Sequence, residues 1–385
     1  MIQISPETQL FIREHSSDDV RTLALQAKKY PDINTPTAIT QIAGRQVAAE
    51  KIPSWREIEE IWYPKHLSLE QCSSEITARY KARLFQGDSL TDLTGGFGID
   101  CSFLATGFKS ATYVERQEEL CEIAAHNFPI LNLNHINVRN EDGVAYLQTM
   151  SPVDCIFLDP ARRNEHGGKT VAISDCEPNV AELEALLLSK ANRVMIKLSP
   201  MLDLSLALKE LKHTQEIHIL SVNNECKELL ILLRQTSPAE IAIHCVNLLT
   251  KGTQEEQHLV FTREQEQRSQ CTYTDSLGNY LYEPNASLLK AGAFRSIAAA
   301  YPVRKLHPNS HLYTSDTFIE NFPGRIFRIV NQCSFNKKEV KENLADLKKA
   351  NVTVRNFPAT VSELRKLLHR TEGGDTYLFA STLNN

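Results

Sequence analysis

Between residues 88 and 222 short apolar runs alternate with amphipathic stretches of helical length, and no other feature of the chain limits its fold as tightly. SLTDLT, ATYVERQ, INVRN, VDCIFLD, RVMIKLS and EIHILSV have the length and apolar content of strands. EELCEIAAHNFPILN, VAELEALLLSKA and LSLALKELKH carry apolar residues at three- and four-residue steps between them. Strands separated by helices pair in parallel through crossover connections, which predicts an α/β, doubly wound sheet. ELLILLR, IAIHCVNLL and HLVFTRE lie closer together and predict an antiparallel finish with edge hairpins. Upstream, FIREHSSDDVRTLALQAKKY, TAITQIAGRQVAAEKI and WREIEEIWYP read as helices ended by a proline. Downstream, RIFRIV, KKEVKENLADLKKA, VTVRNF, TVSELRKLLHR and TYLFAS restart the alternation as a small βαβαβ unit. The expected organisation is a helical N-terminal domain over 1–85, the doubly wound domain over 86–280 and a small α+β region over 281–385.

Composition narrows the class of function. With 385 residues, 42% of them hydrophobic, the chain can build two or three real cores. No run of about 18 apolar residues is present to span a membrane, and MIQISPETQLFIREH has no basic n-region or apolar h-segment, so a cytoplasmic protein without membrane contact is expected. Nine scattered cysteines lack a CxxC pair and a His-rich partner spacing, which points to reduced thiols and no metal. A net charge of −5 excludes a uniformly basic nucleic-acid binder but not a local patch. Residues 324–370 hold eleven Lys and Arg against four acids, a net +7. That excess is either a phosphate-contacting surface, with Lys337, Lys338 and Lys341 at its centre, or a solvated basic face.

The segment LTDLTGGFGID (90–100) follows the first expected strand and precedes a helix. Gly95, Gly96 and Gly98 let the backbone turn sharply and let a ligand approach it. Asp92 and Thr94 make the pattern D-x-T-G-G-x-G rather than the dinucleotide fingerprint G-x-G-x-x-G. Glu115, at the end of the second strand and 19 residues after Gly96, is placed to accept both ribose hydroxyls of a nucleoside. CIFLDPARR (155–163) ends the fourth strand, and ligands of doubly wound sheets sit outside the carboxyl ends of the strands. Asp159 and Pro160 therefore mark where the chain emerges beside a ligand.

These motifs resemble those of class I S-adenosylmethionine (SAM)-dependent methyltransferases, which have a Rossmann-like sheet. The resemblance implies SAM as cofactor: an acid at Asp92 suits its cationic methionine end and would repel a pyrophosphate. It places Asp142 near the adenine amine, although Asp142 also reads as the N-cap of the helix VAYLQTM. LEQCSS (69–74) is similar to a pre-motif of nucleic-acid N-methyltransferases, which would carry Gln71 and Ser74 to the methionine moiety; Ser73 or Ser74 also reads as a simple N-cap. The tetrad DPAR is similar to motif IV, D/N-P-P-Y/F in enzymes for exocyclic amines and D-P-P-R in some that methylate ring atoms of RNA bases. Asp159 would orient or deprotonate the nucleophile, Pro160 would contribute its carbonyl, and Arg162 and Arg163 would neutralise a phosphate or stack on a base. The alternative for the arginine pair is a surface salt bridge.

Covalent C5 methylation needs a cysteine at the end of strand five, where VMIKLSPMLD has none; Cys176 and Cys226 do not match the motif. Lys197 reaches the substrate, the backbone after strand four, or solvent by snorkelling. Asn224 and Glu225 are candidates for the pocket lining. QCSSEITARYKARL, DLTGGFGID, DPARR, KLSPMLD, NNECKEL, YEPNASLLKAGAF, KLHPNSHLYTS and FPGRIF together resemble a family of class I RNA methyltransferases with a C-terminal THUMP-like domain. That resemblance implies RNA, rRNA or tRNA, as partner. YEPN and HPNSHLYTS offer either base-stacking residues or turn chemistry. A methyltransferase for a protein or small molecule, and a non-catalytic RNA-binding assembly factor, remain the alternatives.

Overall fold

The computed structural model describes residues 4–162, 172–236, 238–252, 254–344, 347–368 and 371–383. The chain forms two compact units, Met1–Glu216 with Leu229–Pro238, and Ile217–Glu228 with Ala239–Asn385. Among the described residues no helix is long and apolar enough to cross a membrane.

The first unit opens with α1 (Pro6–Glu14), α2 (Val20–Leu25), α3 (Thr35–Lys51), α4 (Pro53–Arg56), α5 (His66–Gln71) and α6 (Glu75–Leu84). Their starts are legible in the chain: Ser5, Asp19 and Asn34 each accept the N–H of the third residue on, and Pro6 and Pro36 sit in the first turns. Next come β1 (Gly87–Asp92), β2 (Phe108–Glu115), β3 (Ile136–Asn140), β4 (Val153–Leu158) and β5 (Ala191–Leu198). They pair in parallel in the order β3-β2-β1-β4-β5. The connections carry α7 (Ile99–Ala105), α8 (Glu118–Ile130), α9 (Gly143–Thr149) and α10 (Val180–Lys190), and α11 (Leu204–Glu210) follows β5. Leu229–Leu233 adds an antiparallel neighbour to Leu198–Val194. Asp92 lies opposite both Tyr113 and Phe157, and Phe157 opposite Met195, so the carboxyl ends of β1, β2, β4 and β5 align at one edge.

The N-terminal helices share the core of this sheet. Ala48, Ile52, Trp55, Ile61, Tyr63 and Leu69 pack with Phe97 and Ile99 of the glycine-rich turn, and Trp55 meets Phe97 edge-on at 5.3 Å. Two side-chain amides fasten the extended segment between α4 and α5. Gln41 bonds both N–H and C=O of Tyr63 at 2.9 Å, and Asn127 does the same for Trp62.

β6 (Thr214–Val222) and β7 (Glu225–Leu233), of which Ile217–Glu228 belongs to the second unit, meet at Asn223 and Asn224, whose φ values of 48° and 69° suit a two-residue hairpin. With β8 (Ala242–Leu248) and β9 (Glu256–Thr262) the order is β9-β8-β6-β7. The pairing of β8 with β9 is antiparallel, as the closely spaced apolar runs predict. After α12 (Arg263–Arg268), β10 (Tyr280–Pro284), α13 (Ala286–Ala291), α14 (Phe294–Ala300), β11 (Arg304–Lys305), β12 (Tyr313–Ser315) and β13 (Gly324–Arg328) form a small unit with sheet order β11-β12-β10-β13. The last stretch holds α15 (Lys337–Asn343), β14 (Asn351–Arg355), α16 (Val361–Leu368) and β15 (Tyr377–Ser381). RIFRIV, expected to head a βαβαβ unit, instead pairs antiparallel with β10, and the parallel pairing is between β14 and β15. The rings still close the gap: Phe327 of β13 lies 4.8 Å from Tyr377 and 4.9 Å from Phe379.

Gly44 lies inside α3, where alanine would ordinarily stabilise a helix by about 1 kcal/mol. A Cβ there would lie 2.3 Å from Tyr63 Cβ and 2.6 Å from its Cγ, atoms anchored by the Gln41 clamp. Overpacking of this kind costs about 1–3 kcal/mol, so the clash wins. Gly44→Ala is expected to lower the denaturant midpoint; an unchanged or raised midpoint would show that the segment gives way.

Candidate active site

The site grows from the aligned strand ends. Past Asp92 the chain turns through Leu93-Thr94-Gly95-Gly96-Phe97-Gly98 into α7. Leu93 N–H donates to Phe157 C=O, Gly95 N–H to Val114 C=O and Gly98 N–H to Gly95 C=O. Gly96 and Gly98 have φ of 54° and 86°, conformations that side chains disfavour. Gly95 answers a different need: a Cβ would sit 2.2 Å from the ring of Tyr113, whose hydroxyl donates to Gly96 C=O. The turn is therefore moulded onto β2. Glu115 completes it, its Oε2 accepting from Gly96 N–H at 3.0 Å and its Oε1 from Gln117 N–H at 2.8 Å.

Asp142 caps α9, its Oδ1 accepting from the N–H groups of Val144 and Ala145 at 3.0 Å. Its neighbour Gly143 is pressed onto the turn, since a Cβ would lie 2.2 Å from Leu93 O. Asp142 thus stands beside the turn at the exposed end of a helix. Gln71 is the exposed last residue of α5, and Ser74 precedes α6 with its hydroxyl 3.2 Å from that of Thr77.

The charged floor of the site has members the sequence did not reveal. Asp100, in the first turn of α7, accepts the Ser73 hydroxyl at 2.7 Å and Lys197 Nζ at 3.2 Å on Oδ2, and faces Lys81 Nζ at 3.0 Å through Oδ1. Ser73 Oγ accepts from both ammonium groups, at 3.1 and 3.0 Å. Lys197 Nζ lies 2.5 Å from Asp159 Oδ2, and Asp159 N–H donates to Thr94 Oγ1 at 2.6 Å. Lys81 is 0% exposed and Lys197 8%. Lys197 thus faces inward onto Asp159, the first member of DPAR. Burial works to raise Asp100, but the ammonium groups of Lys81 and Lys197 outweigh it and hold its carboxyl below the usual range.

Asp92 behaves oppositely. At 1% exposure its carboxyl is pushed up to about 8, first by burial and then by the charges of Asp100 and Asp159, against the opposing Thr94 N–H and Lys197. Its Oδ1 accepts from Thr94 N–H at 2.9 Å, while Oδ2 is buried without a hydrogen-bond partner among the described residues. A buried orphaned carboxylate oxygen suits a cationic donor such as the ammonium of a bound amino acid. Glu115 and Asp142 add acceptors for hydroxyls and an amine, so this donor set fits SAM.

The other candidates divide. The backbone of Arg162 pairs with Cys176; its side chain and all of Arg163 lie outside the described residues. Cys176 is buried, and burial pushes Cys226 up to about 11, which keeps Cys226 a thiol at neutral pH. Asn224 belongs to the second unit, where its N–H donates to Asn247 Oδ1 and its Oδ1 accepts from Ala286 N–H, both at 2.8 Å. Glu225 pairs with Lys227. Lys338 and Lys341 are exposed on α15; the Lys337 side chain lies outside the described residues. Two arginines of the basic stretch are consumed internally, for Arg325 and Arg355 both hold Glu283. Three residues of YEPN and HPNSHLYTS make internal contacts: Tyr282 donates to Thr317 C=O, Asn285 caps α13, and His311 stacks on Phe294 at 3.5 Å.

The missed lysine left a trace. Lys81 stands four and three residues after Thr77 and Ala78 on the buried face of α6, where a charge is misplaced unless it has a partner.

Residues 280–323 match a ferredoxin-like domain family and residues 324–385 a THUMP domain-like family. The crystal structure of a protein from Porphyromonas gingivalis W83, described as a "putative methyltransferase", superposes with a TM-score of 0.86 at 34% identity, covering 100% of this chain and 96% of that one. An rRNA methylase from Streptococcus thermophilus gives a TM-score of 0.31 at 14% identity, over 41% of this chain and 94% of its own. TrmK of M. capricolum, solved with S-adenosyl-homocysteine, gives 0.33 at 12% identity over 42% and 68%. No curated protein matches the sequence. The chain belongs to the family of the P. gingivalis protein, in which a methyltransferase-type α/β sheet is followed by ferredoxin-like and THUMP-like domains.

Proposed function

We propose that this protein is a SAM-dependent RNA methyltransferase that methylates a base nitrogen of rRNA or tRNA without a covalent enzyme intermediate. The observation that carries the reading is Asp159, held at the end of β4 by Lys197 Nζ and the Thr94 hydroxyl beside the turn that carries Asp92. Bound SAM supplies a methyl group activated by a sulfonium. Asp92, Thr94 and the Gly95, Gly96 and Gly98 backbone receive its methionine end together with Gln71 and Ser74, Glu115 its ribose and Asp142 its adenine. A base nitrogen conjugated to its ring is a weak nucleophile because its lone pair is delocalised. Asp159, aided by the Pro160 carbonyl, accepts its N–H, localises the pair and aims it in line. Arg162 and Arg163 would hold a nucleotide turned out of its stack. The burial of Cys176, and of Cys226 as a thiol at neutral pH, supports a route without a cysteine adduct. The THUMP-like domain and the exposed lysines of α15 support an RNA substrate.

The direct test is transfer of labelled methyl from SAM to total RNA of a strain lacking the gene, followed by nucleoside digestion and mass spectrometry. One new methylated nucleoside is expected, and Asp159→Ala should lose it while still binding SAM. Transfer to protein or metabolites only, or SAM binding with no turnover on any fraction, would replace this reading by the corresponding alternative.

The RNA face has its own test. Lys338→Glu with Lys341→Glu should weaken RNA binding and flatten its salt dependence by about 0.7–0.9 in log–log slope for every phosphate that the variant no longer neutralises. Equal affinity and slope would place the RNA elsewhere.

Asp92 sets a pH dependence. Below about pH 8 the free protein keeps a proton on Asp92 that a cationic ligand displaces. SAM affinity should therefore rise with pH from about 6 toward 8, by at most tenfold per unit, pass through a maximum as Asp92 itself ionises, and fall once the ligand's α-amino group deprotonates. Calorimetry should show that slope vanish in Asp92→Asn. A flat wild-type profile would remove Asp92 from the ammonium.

A further inference from the structure

We infer that Lys197 is the positioning residue of Asp159, and that Asp100, Ser73 and Lys81 hold Lys197 in place. This inference rests on the reading of Asp159 given above and adds who keeps its carboxylate aimed. Four elements converge on the arrangement. Lys81 comes from α6, Ser73 from the residues just before it, Asp100 from the first turn of α7 and Lys197 from β5. Lys197 Nζ touches Ser73 Oγ at 3.0 Å, Asp100 Oδ2 at 3.2 Å and Asp159 Oδ2 at 2.5 Å. Lys81 reaches Ser73 Oγ at 3.1 Å and Asp100 Oδ1 at 3.0 Å.

A merely structural pin is a poor explanation of this quartet. Removing charged groups from water costs several kcal/mol per ion, and apolar side chains of similar volume often stabilise as well or better. All four members are largely buried, at 0%, 5% and 8% exposure for Lys81, Ser73 and Lys197 and 11% for the Asp100 side chain. Asp159 is different: its side chain is 35% exposed, so the arrangement connects the buried charges to a carboxylate that a substrate can reach. The order of charges is Lys81, Asp100, Lys197, Asp159, each next to its opposite. Lys81 neutralises Asp100, which leaves Lys197 to serve Asp159 rather than being fully satisfied by Asp100. Thr94 fixes the Asp159 backbone from the other side. Lys197 Nζ holds Asp159 at Oδ2, and a carboxylate fixed in this way serves as an acceptor for an N–H. The substrate nitrogen is then one that carries a hydrogen, an exocyclic amine or a protonated ring nitrogen; a bare ring lone pair would be repelled.

The charged groups that face Asp159 are Lys197 on β5 and, at longer range, Asp92 at the end of β1. The test follows the Asp159 carboxyl by carbon-13 NMR of the full-length protein, the resonance assigned by its loss in Asp159→Asn. In Lys197→Met the midpoint should rise by about 1–3 pH units, and Lys197→Arg should restore most of the shift. Lys197→Gln, which keeps hydrogen bonds to Ser73 and Asp100, gives the same reading if the methionine variant does not fold. On RNA, kcat should fall roughly 10- to 100-fold with KM little changed, and the acidic limb of the pH–rate profile should move up with the NMR midpoint. An Asp159 midpoint equal in wild type and variants would overturn the inference. That result is read from the protein alone, so it is distinct from failure of the wild type to methylate RNA, which would overturn the function instead.

Discussion

One carboxylate shared by two buried ammonium groups organises the first unit. Asp100 can sit at the base of α7 as an anion only because Lys81 and Lys197 reach it, and those lysines can be buried only because Asp100 is there. Everything that brings them together serves this exchange. The N-terminal helices deliver Ser73 and Lys81, the glycine turn delivers Asp100 at the start of α7, and β5 delivers Lys197. The helical region is therefore part of the site's foundation: Trp55 and Tyr63 pack against Phe97 within the turn itself, and Gln41 and Asn127 clamp the segment that leads to Ser73.

The carboxylates of the site divide by environment. Asp100, beside two cations, is held below the ordinary range, whereas Asp92, 1% exposed and without a direct cation on Oδ2, is pushed up to about 8. Groups of one chemical type kept in opposite protonation states by their neighbours are a usual sign of division of labour. On the proposed function, Asp92 would serve a ligand cation and the Lys197-bound Asp159 a nucleophile.

In the second unit the corresponding anchor is Glu283, 2% exposed and bonded by Arg325 and Arg355. It ties β10 to β13 and β14, and so joins the ferredoxin-like stretch to the THUMP-like one. Spending two arginines in this way leaves the basic surface to lysines such as Lys338, Lys341, Lys348 and Lys349, all exposed.

The parallel sheet was legible because its strands are short, apolar and separated by helical periodicity, and the glycine turn because positive φ and close packing at 95, 96 and 98 admit almost nothing else. Glu115 was legible for the same local reason, its spacing from the turn. The pairing of RIFRIV was not, since a strand's partner depends on which edge is open and β10 offered one. Asp100 was hidden because it looks ordinary along the chain, an acid in a first helical turn, and Lys81 because its place on the buried face of α6 calls for a partner without naming one. Thus the sequence by itself determined the order of elements, the ligand-facing strand ends and the identity of Asp92, Glu115 and Asp159 as candidates. Only the tertiary structure decided that Lys197 turns inward and that Ser73, Lys81 and Asp100 support it. The bonds of Ser73 to Asp100, of Lys197 to Asp100 and of Lys197 to Ser73 join residues 27, 97 and 124 positions apart, and their worth lies in burial and charge that no local spacing encodes.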